Sequence, residues 1–154
     1  MKKERGFTLI EMIVVVSTIV TLLGFITISL VRSQQTASLT SVEGILLADL
    51  KQQQLKSMIG DTEGRSDSDQ YGIHFDSNKY VLFHGDYSDG ETSNSVINLD
   101  SNMQFNNPNF DIIFSKLSGT ILATTTIELQ DNTNSKIKRI HLNTYGNVIQ
   151  VESL

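Results

Sequence analysis

A basic leader, Met1-Lys2-Lys3-Glu4-Arg5, runs through Gly6-Phe7-Thr8-Leu9-Ile10 to a single carboxylate, Glu11, and then into residues 12–31, which contain neither charge nor proline. No other stretch narrows the fold as much. Ser17, Thr18, Thr21, Thr27 and Ser29 are mild polar interruptions and Gly24 a small one. About 20 apolar residues at a rise of about 1.5 Å cover the ~30 Å hydrocarbon core of a bilayer, so the expectation is a membrane-spanning helix. A secretory signal peptide fits less well, because its apolar region is about 7 to 15 residues long and ends at a small-x-small cleavage site. Here the one small cluster after the run, Thr36-Ala37-Ser38, is set apart from it by Arg32 and two glutamines. Lys2, Lys3 and Arg5 put the N-terminus in the cytoplasm by the positive-inside bias.

Glu11 is the anomaly. A carboxylate costs about 2.5 to 3.5 kcal/mol at mid-span on insertion scales, less near an interface, and so calls for a partner. One reading is local: Thr8 followed three residues later by Glu11 has the form of a capping box, and negative charge in a first helical turn suits the macrodipole. The other is a partner charge met in assembly. Residue types alone leave both open.

With its basic leader, Gly6-Phe7-Thr8-Leu9-Ile10-Glu11-Met12 resembles the class III signal of type IV prepilins and type II secretion pseudopilins, G-F-T-L-x-E. The resemblance implies that a prepilin peptidase cuts between Gly6 and Phe7 on the cytoplasmic side, that Phe7 is N-methylated, and that Glu11 is the acid used in assembly. Glycine lets the backbone approach a peptidase closely. The cut also creates an α-amino group with an unperturbed pKa of about 7.7 to 8.0. Such a cation on Phe7 pairs with Glu11 of the same or a neighbouring subunit, an attraction strong in low dielectric but largely offset by desolvation.

The remaining residues form one small domain. Of 154 residues, those beyond the membrane segment suffice for one modest core. There are 12 Lys and Arg against 17 Asp and Glu, and without Lys2, Lys3, Glu4 and Arg5 the balance is 9 against 16. An acidic surface does not draw nucleic acid at long range. Cysteine is absent, which removes disulfides, Cys-ligated zinc and a thiol nucleophile.

Past Arg32 the helical pattern turns polar and continues to about Ile59, where Gly60 is a suitable stop. On a helical wheel Leu39, Val42, Leu46 and Leu50 share one face, and Ala37, Ala48, Leu55 and Ile59 lie roughly opposite. Two apolar faces require two partners: either the chain's own sheet and a neighbouring helix, or a domain that buries both. Residues 61–70 read as a polar loop. Strands are expected at 71–75, 79–84, 95–99, 103–105, 110–114, 124–130, 136–143 and 147–152. Turns are expected at Asp76-Ser77-Asn78 and Thr144-Tyr145-Gly146.

The fold class is therefore α+β and pilin-like: a leader (1–6), a transmembrane half-helix (7–31), an amphipathic half-helix (32–60) and a head with an antiparallel sheet (61–154). Phe110-Asp111-Ile112-Ile113-Phe114, Gly119, Ile127-Glu128-Leu129, Arg139-Ile140-His141-Leu142 and Gly146-Asn147-Val148 are similar in order to GspH/FimT-type minor pseudopilins. Asn147 departs from the arginine or lysine often found after the final glycine of that family.

Other constellations are weaker. Asp86, Asp89 and Glu91 in Asp86-Tyr87-Ser88-Asp89-Gly90-Glu91 are candidate calcium ligands but lack EF-hand spacing, and a solvated turn explains them. Asp67 and Asp69 read the same way. His74, His84 and His141 read as half-exposed strand residues without metal-site spacing. No nucleophile elbow and no phosphate-binding glycine loop occur, so neither an enzyme nor a cofactor is expected. Lys136, Lys138 and Arg139 form the one local basic patch, the best site for DNA if the chain is a FimT-like DNA-uptake pilin. A solvated strand face is the plainer reading, since aromatic interleaving is absent. The expected partners are a prepilin peptidase, other pilins or pseudopilins, and inner-membrane lipid. The expected location is the inner membrane, single-pass, with an exported head that later joins a filament. A signal-anchored domain unrelated to filaments is the third reading.

Overall fold

A computed structural model describes residues 8–154, of which the side chains of 25–37 lie outside the described set. One helix, α1 (Leu9–Ile59), is followed by eight strands: β1 (Tyr71–Phe75), β2 (Lys79–His84), β3 (Ser95–Asn98), β4 (Met103–Phe105), β5 (Phe110–Phe114), β6 (Thr125–Asp131), β7 (Lys136–Leu142) and β8 (Val148–Ser153). The chain divides into two units, Met1–Ser38 and Leu39–Leu154.

In the first unit, the described apolar side chains from Leu9 to Leu23 are all exposed. The hydroxyls among them turn back on the helix. Ser17 and Thr18 donate to the Val14 carbonyl at 2.9 and 2.7 Å, and Thr21 donates to that of Ser17 at 2.8 Å, so no hydroxyl needs an outside acceptor.

The second unit contains the core. Absence of proline lets the helix run on, and Gly60 ends it with φ +66°. The Gly60 amide donates to the Ser57 carbonyl at 3.3 Å and the Asp61 amide to that of Lys56 at 3.0 Å, the paired bonds of a Schellman cap. Leu39, Leu46 and Leu50, at 2 % exposure or less, pack into the core with residues from both sheets.

All strand pairs are antiparallel. The expected single sheet is corrected to two, ordered β3-β2-β1-β5 and β4-β6-β7-β8. The reason lies in the pairing of β4 and β5. β5 aligns with β1, Tyr71 opposite Phe114, whereas β4 aligns with β6, Met103 opposite Asp131. Strand alternation then aims Ile73 and Phe75 of one sheet, and Ile127, Leu129, Ile140 and Leu142 of the other, at a common interior. Phe75 meets Phe105 edge-on, with centroids 5.1 Å apart.

Polar side chains tie the helix to the sheet ends. Gln54 Nε2 donates to the carbonyls of Gly119 (3.0 Å) and Tyr145 (2.7 Å), and Ser57 Oγ to those of Phe114 and Ser115 (both 2.8 Å). Gly146, at φ +70°, must be glycine here: a Cβ would lie 2.6 Å from Gln54 Nε2 and 2.8 Å from the Gly119 carbonyl. Tyr80 is buried and donates to Asp49 Oδ2 at 2.6 Å, and burial followed by that carboxylate pushes its hydroxyl pKa up.

Asp131, fully buried at the end of β6, organises the turn into β7. It accepts from the Thr133 amide (2.8 Å), Asn134 Nδ2 (3.1 Å) and Asn102 Nδ2 (3.4 Å). Burial alone raises its pKa, but these bonds and one from the Asn134 amide outweigh burial and hold it below the usual carboxylate value. A lowered folded pKa gives stability that is complete above the unfolded value, about 3.9, and is lost as pH falls through the folded one. Asp131→Asn should cost about 1 to 3 kcal/mol at pH 7, and the gap from the unmodified chain should shrink below about pH 4. Urea unfolding at pH 7 and pH 3 measures it; a gap independent of pH would refute the charge argument.

Candidate functional site

Gly6 and Phe7, the expected cleavage pair, lie outside the described residues. Glu11 lies within them, in the first turn of α1. Its Oε2 accepts from the Thr8 amide at 2.8 Å and from the Thr8 hydroxyl at 2.7 Å, and the Glu11 amide donates to Thr8 Oγ1 at 3.3 Å. This is the reciprocal capping box. Among the described residues no helix is long and apolar enough to cross a membrane. The stretch expected to do so, residues 12–31, runs past Gly24 into residues whose side chains lie outside the described set.

In the head, α1 shows two unlike faces. Leu39, Leu46 and Leu50 are buried and Val42 packs against the core. Opposite them, Ile45, Leu55 and Ile59 are 52, 53 and 66 % exposed, and Ala48 is exposed between them. The spacing 45, 48, 55, 59 keeps these residues on one stripe. The alternative of a helix buried on both sides within its own domain is therefore corrected: the two sheets supply one wall only. Ala37, expected on the same stripe, lies outside the described side chains.

The residues of the basic patch are parted by the pleat of β7. Lys138 lies on the face of buried Ile140 and Leu142, and its Nζ is 2.8 Å from Glu43 Oε2 on α1. Arg139 lies on the opposite face, where Nε donates to Glu128 Oε1 at 2.7 Å and Nη1 is 3.6 Å from Glu152 Oε2. Its register neighbours on β6 and β8 are these same two glutamates. Lys136 is exposed at the start of the strand. Lys138 and Arg139 are thus matched by carboxylates.

Asp86, Asp89 and Glu91 are exposed in the β2–β3 connection. Asp86 accepts from Gln70 Nε2 at 3.1 Å and Asp89 from the Tyr87 hydroxyl at 3.5 Å. Among the described residues no three His, Asp or Glu side chains are gathered to hold a metal ion.

The histidines divide. His141 is half-buried beside Thr126 at 3.0 Å. His74 has Nδ1 2.6 Å from Asp111 Oδ1 and stacks on Tyr87 with centroids 4.0 Å apart. His84, expected half-exposed, is instead buried at 7 % exposure against the Tyr71 ring, 4.6 Å away, because it ends β2 beneath the C-terminal turns of α1. Tyr71 is itself buried, which pushes its hydroxyl up to about 12, helped by the Glu63 and Asp61 carboxylates. Sequence reasoning missed the Glu43–Lys138 pair and the His84 environment. In the first case the only trace is a glutamate near the inward face of a helix, with nothing local to name its partner.

Because Glu43 and Lys138 are each less than one-fifth exposed, losing one partner strands the other. Lys138→Met should cost about 1 to 3 kcal/mol, and Lys138→Met with Glu43→Met should recover most of it. Thermal unfolding of the two single variants and the double variant measures the coupling, and additive losses would show that the pair is not one unit.

Residues 1–27 match the family described as Prokaryotic N-terminal methylation motif. No curated protein matches the chain, and no solved structure does. The match to the leader, Gly6-Phe7 and the start of the apolar run, joined to a long helix and antiparallel sheets, supports a place for this chain among type IV pilins and pseudopilins.

Proposed function

We propose that the chain is a non-catalytic structural subunit of a type II secretion pseudopilus or type IV pilus, a minor subunit of the GspH/FimT type. In this reading prepilin peptidase removes residues 1–6 and Phe7 is methylated. Residues 7–31 then hold the subunit in the inner membrane, with its head exported, until it is drawn into a filament. No cofactor takes part, and force comes from a separate ATPase.

The observation that carries the reading is the bare stripe on the head portion of α1. Ile45, Leu55 and Ile59 stand in solvent although the chain has two sheets against which to bury them. Uncovered apolar area contributes about 25 cal/mol per Å² when a neighbouring helix removes it from water. The N-terminal motif supports the same conclusion from the other end of the helix. Lys138 and Arg139 already face carboxylates, which makes them poorer phosphate contacts than bare cations and favours the filament reading over DNA capture.

The intact mass of the cellular protein tests processing. Loss of Met1 to Gly6 with gain of one methyl group is expected, and an unprocessed chain would leave only a signal-anchored domain. Glu11→Ala and Glu11→Val should be cut normally but incorporate poorly into filaments; normal incorporation of either would remove Glu11 from assembly.

The stripe is tested separately. Leu55→Glu and Ile59→Glu replace exposed side chains, so head stability should change by no more than about 0.5 kcal/mol. Filament yield in cells producing either variant should fall at least tenfold. Wild-type yield from both would mean that the stripe faces no neighbour.

A further inference from the structure

β8 is a free edge: among the described residues no strand lies beyond it in the order β4-β6-β7-β8. Its hydrogen-bonding phase is fixed by Ile137 and Leu154, whose backbones exchange both bonds at 3.0 and 2.9 Å. Lys138 stands opposite Ser153, Arg139 opposite Glu152 and Ile140 opposite Val151. Antiparallel alternation therefore makes Arg139 and Glu152 the next bonded pair, and it turns the amides and carbonyls of Val151 and Ser153 away from β7. Edge strands are usually blunted by lysine, proline or a bulge. β8 contains neither lysine nor proline, and its register shift lies at its start, opposite His141 and Leu142, leaving residues 150–153 in regular register.

The apolar surface beside this edge is unfinished as well. Val148 and Val151 stand opposite Leu142 and Ile140, and so share the face that these two turn to the core. Leu142 and Ile140 are at most 1 % exposed, whereas Val148 and Val151 are each 37 % exposed. Between Val148 and α1 lies a cleft of about 410 Å³, lined by Leu47, Leu50, Lys51, Gly146, Asn147 and Val148. Lys51 is exposed at this cleft, and its Nζ donates at 2.8 Å to Gln54 Oε1, a neutral amide and not a carboxylate.

We infer that the β8 edge receives an extended segment of a partner protein, antiparallel to β8, apolar at alternate positions and with a carboxylate next in the alternation. A backbone edge is matched by a backbone: the outward N–H and C=O groups of Val151 and Ser153 offer up to four main-chain bonds, the basis of strand addition. Side chains of the added strand alternate, so every second one turns to the α1 side of the sheet. There one apolar side chain covers Val151 and the next fills the cleft against Leu47 and Val148. Lys51 selects the acid that follows, since a carboxylate replaces its neutral acceptor with a charge-assisted one. β8 of a second copy suits this edge less well: its single charged side chain, Glu152, already lies 3.6 Å from Arg139 Nη1 and accepts from Gln150 Nε2 at 2.8 Å. Strand addition at β8 requires neither leader cleavage nor filament assembly.

The full-length chain in detergent micelles at pH 7.5, labelled with ¹⁵N, is titrated with a capped peptide, threonine-valine-threonine-valine-threonine-aspartate. Saturable shifts of the Val151 and Ser153 amides are expected, with slowed hydrogen exchange at both. The same peptide with methylated backbone nitrogens keeps its side chains but cannot donate, and should bind at least tenfold more weakly. Val151→Pro removes an outward amide and no bond to β7, so it should weaken binding of the unmethylated peptide at least tenfold; should it fail to fold, the methylated peptide decides alone. No saturable shift with the unmethylated peptide would overturn the proposal. Equal shifts with the methylated one would overturn it as well.

Exchange of charge tests Lys51. Lys51→Glu should weaken the aspartate peptide at least tenfold, and a peptide ending in lysine should recover that loss; equal binding of the aspartate peptide by both chains would overturn the acidic partner. Sedimentation of the peptide-free chain tests the other occupant. A monomer is expected, and concentration-dependent dimers with Val151 and Ser153 already protected would give the edge to a second copy and overturn the partner reading. A chain that keeps its leader in cells yet binds the peptide would fail as a filament subunit and retain the strand site.

Discussion

The two sheets of the head share no strand, and one face of α1 helps to close the space between them. Leu39, Leu46 and Leu50 enter the same interior as Ile73 and Phe75 from the first sheet and Ile127, Leu129 and Ile140 from the second. Burying each leucine is worth about 1.5 to 3 kcal/mol, but burial alone does not fix the rotation of a helix about its axis. Gln54 and Ser57 supply direction. Their hydrogen bonds to the carbonyls of residues 114, 115, 119 and 145 hold if that one face stays turned inward. The opposite stripe is outward for the same reason, so its exposure is a consequence of how the core closes.

Much of this was legible in the chain. Alternation of apolar and polar side chains located all eight strands, because a two-residue period has few competing explanations once glycine and asparagine turns bound it. The differences lie at the ends. Leu99 falls outside β3, its amide bonding the Asn78 carbonyl instead. Asn147 belongs to the turn, where Asn143 Oδ1 accepts from the amides of both Tyr145 and Asn147. The helix stop at Gly60 was legible because a left-handed residue is needed there.

The division into two sheets was not legible, since alternation tells which residues share a face but not which strands pair. The basic patch misleads for a related cause. Lys136, Lys138 and Arg139 fall within four residues, yet the pleat sends Lys138 toward Glu43 and Arg139 toward Glu128 and Glu152. The carboxylates that face Lys138 and Arg139 come from α1, β6 and β8, and no local window contains them. His84 is similar: its burial depends on α1 passing over the end of β2.

Glu11 joins the two ends of the proposed function. Its carboxylate is held by the Thr8 amide and hydroxyl, so a lone subunit does not carry an unsatisfied acid where the apolar run begins. The proposed cut leaves Thr8 as the second residue and puts the new ammonium on Phe7, one peptide bond from the amide that Glu11 accepts. Cap and cation then draw on the same carboxylate. A cap contributes about 0.5 to 2 kcal/mol, and a charge pair in low dielectric exceeds that only where its desolvation is already met by surrounding helices. An isolated helix therefore favours the local cap. A bundle, in which helices exclude water and bring Phe7 of one subunit near Glu11 of another, favours the exchange.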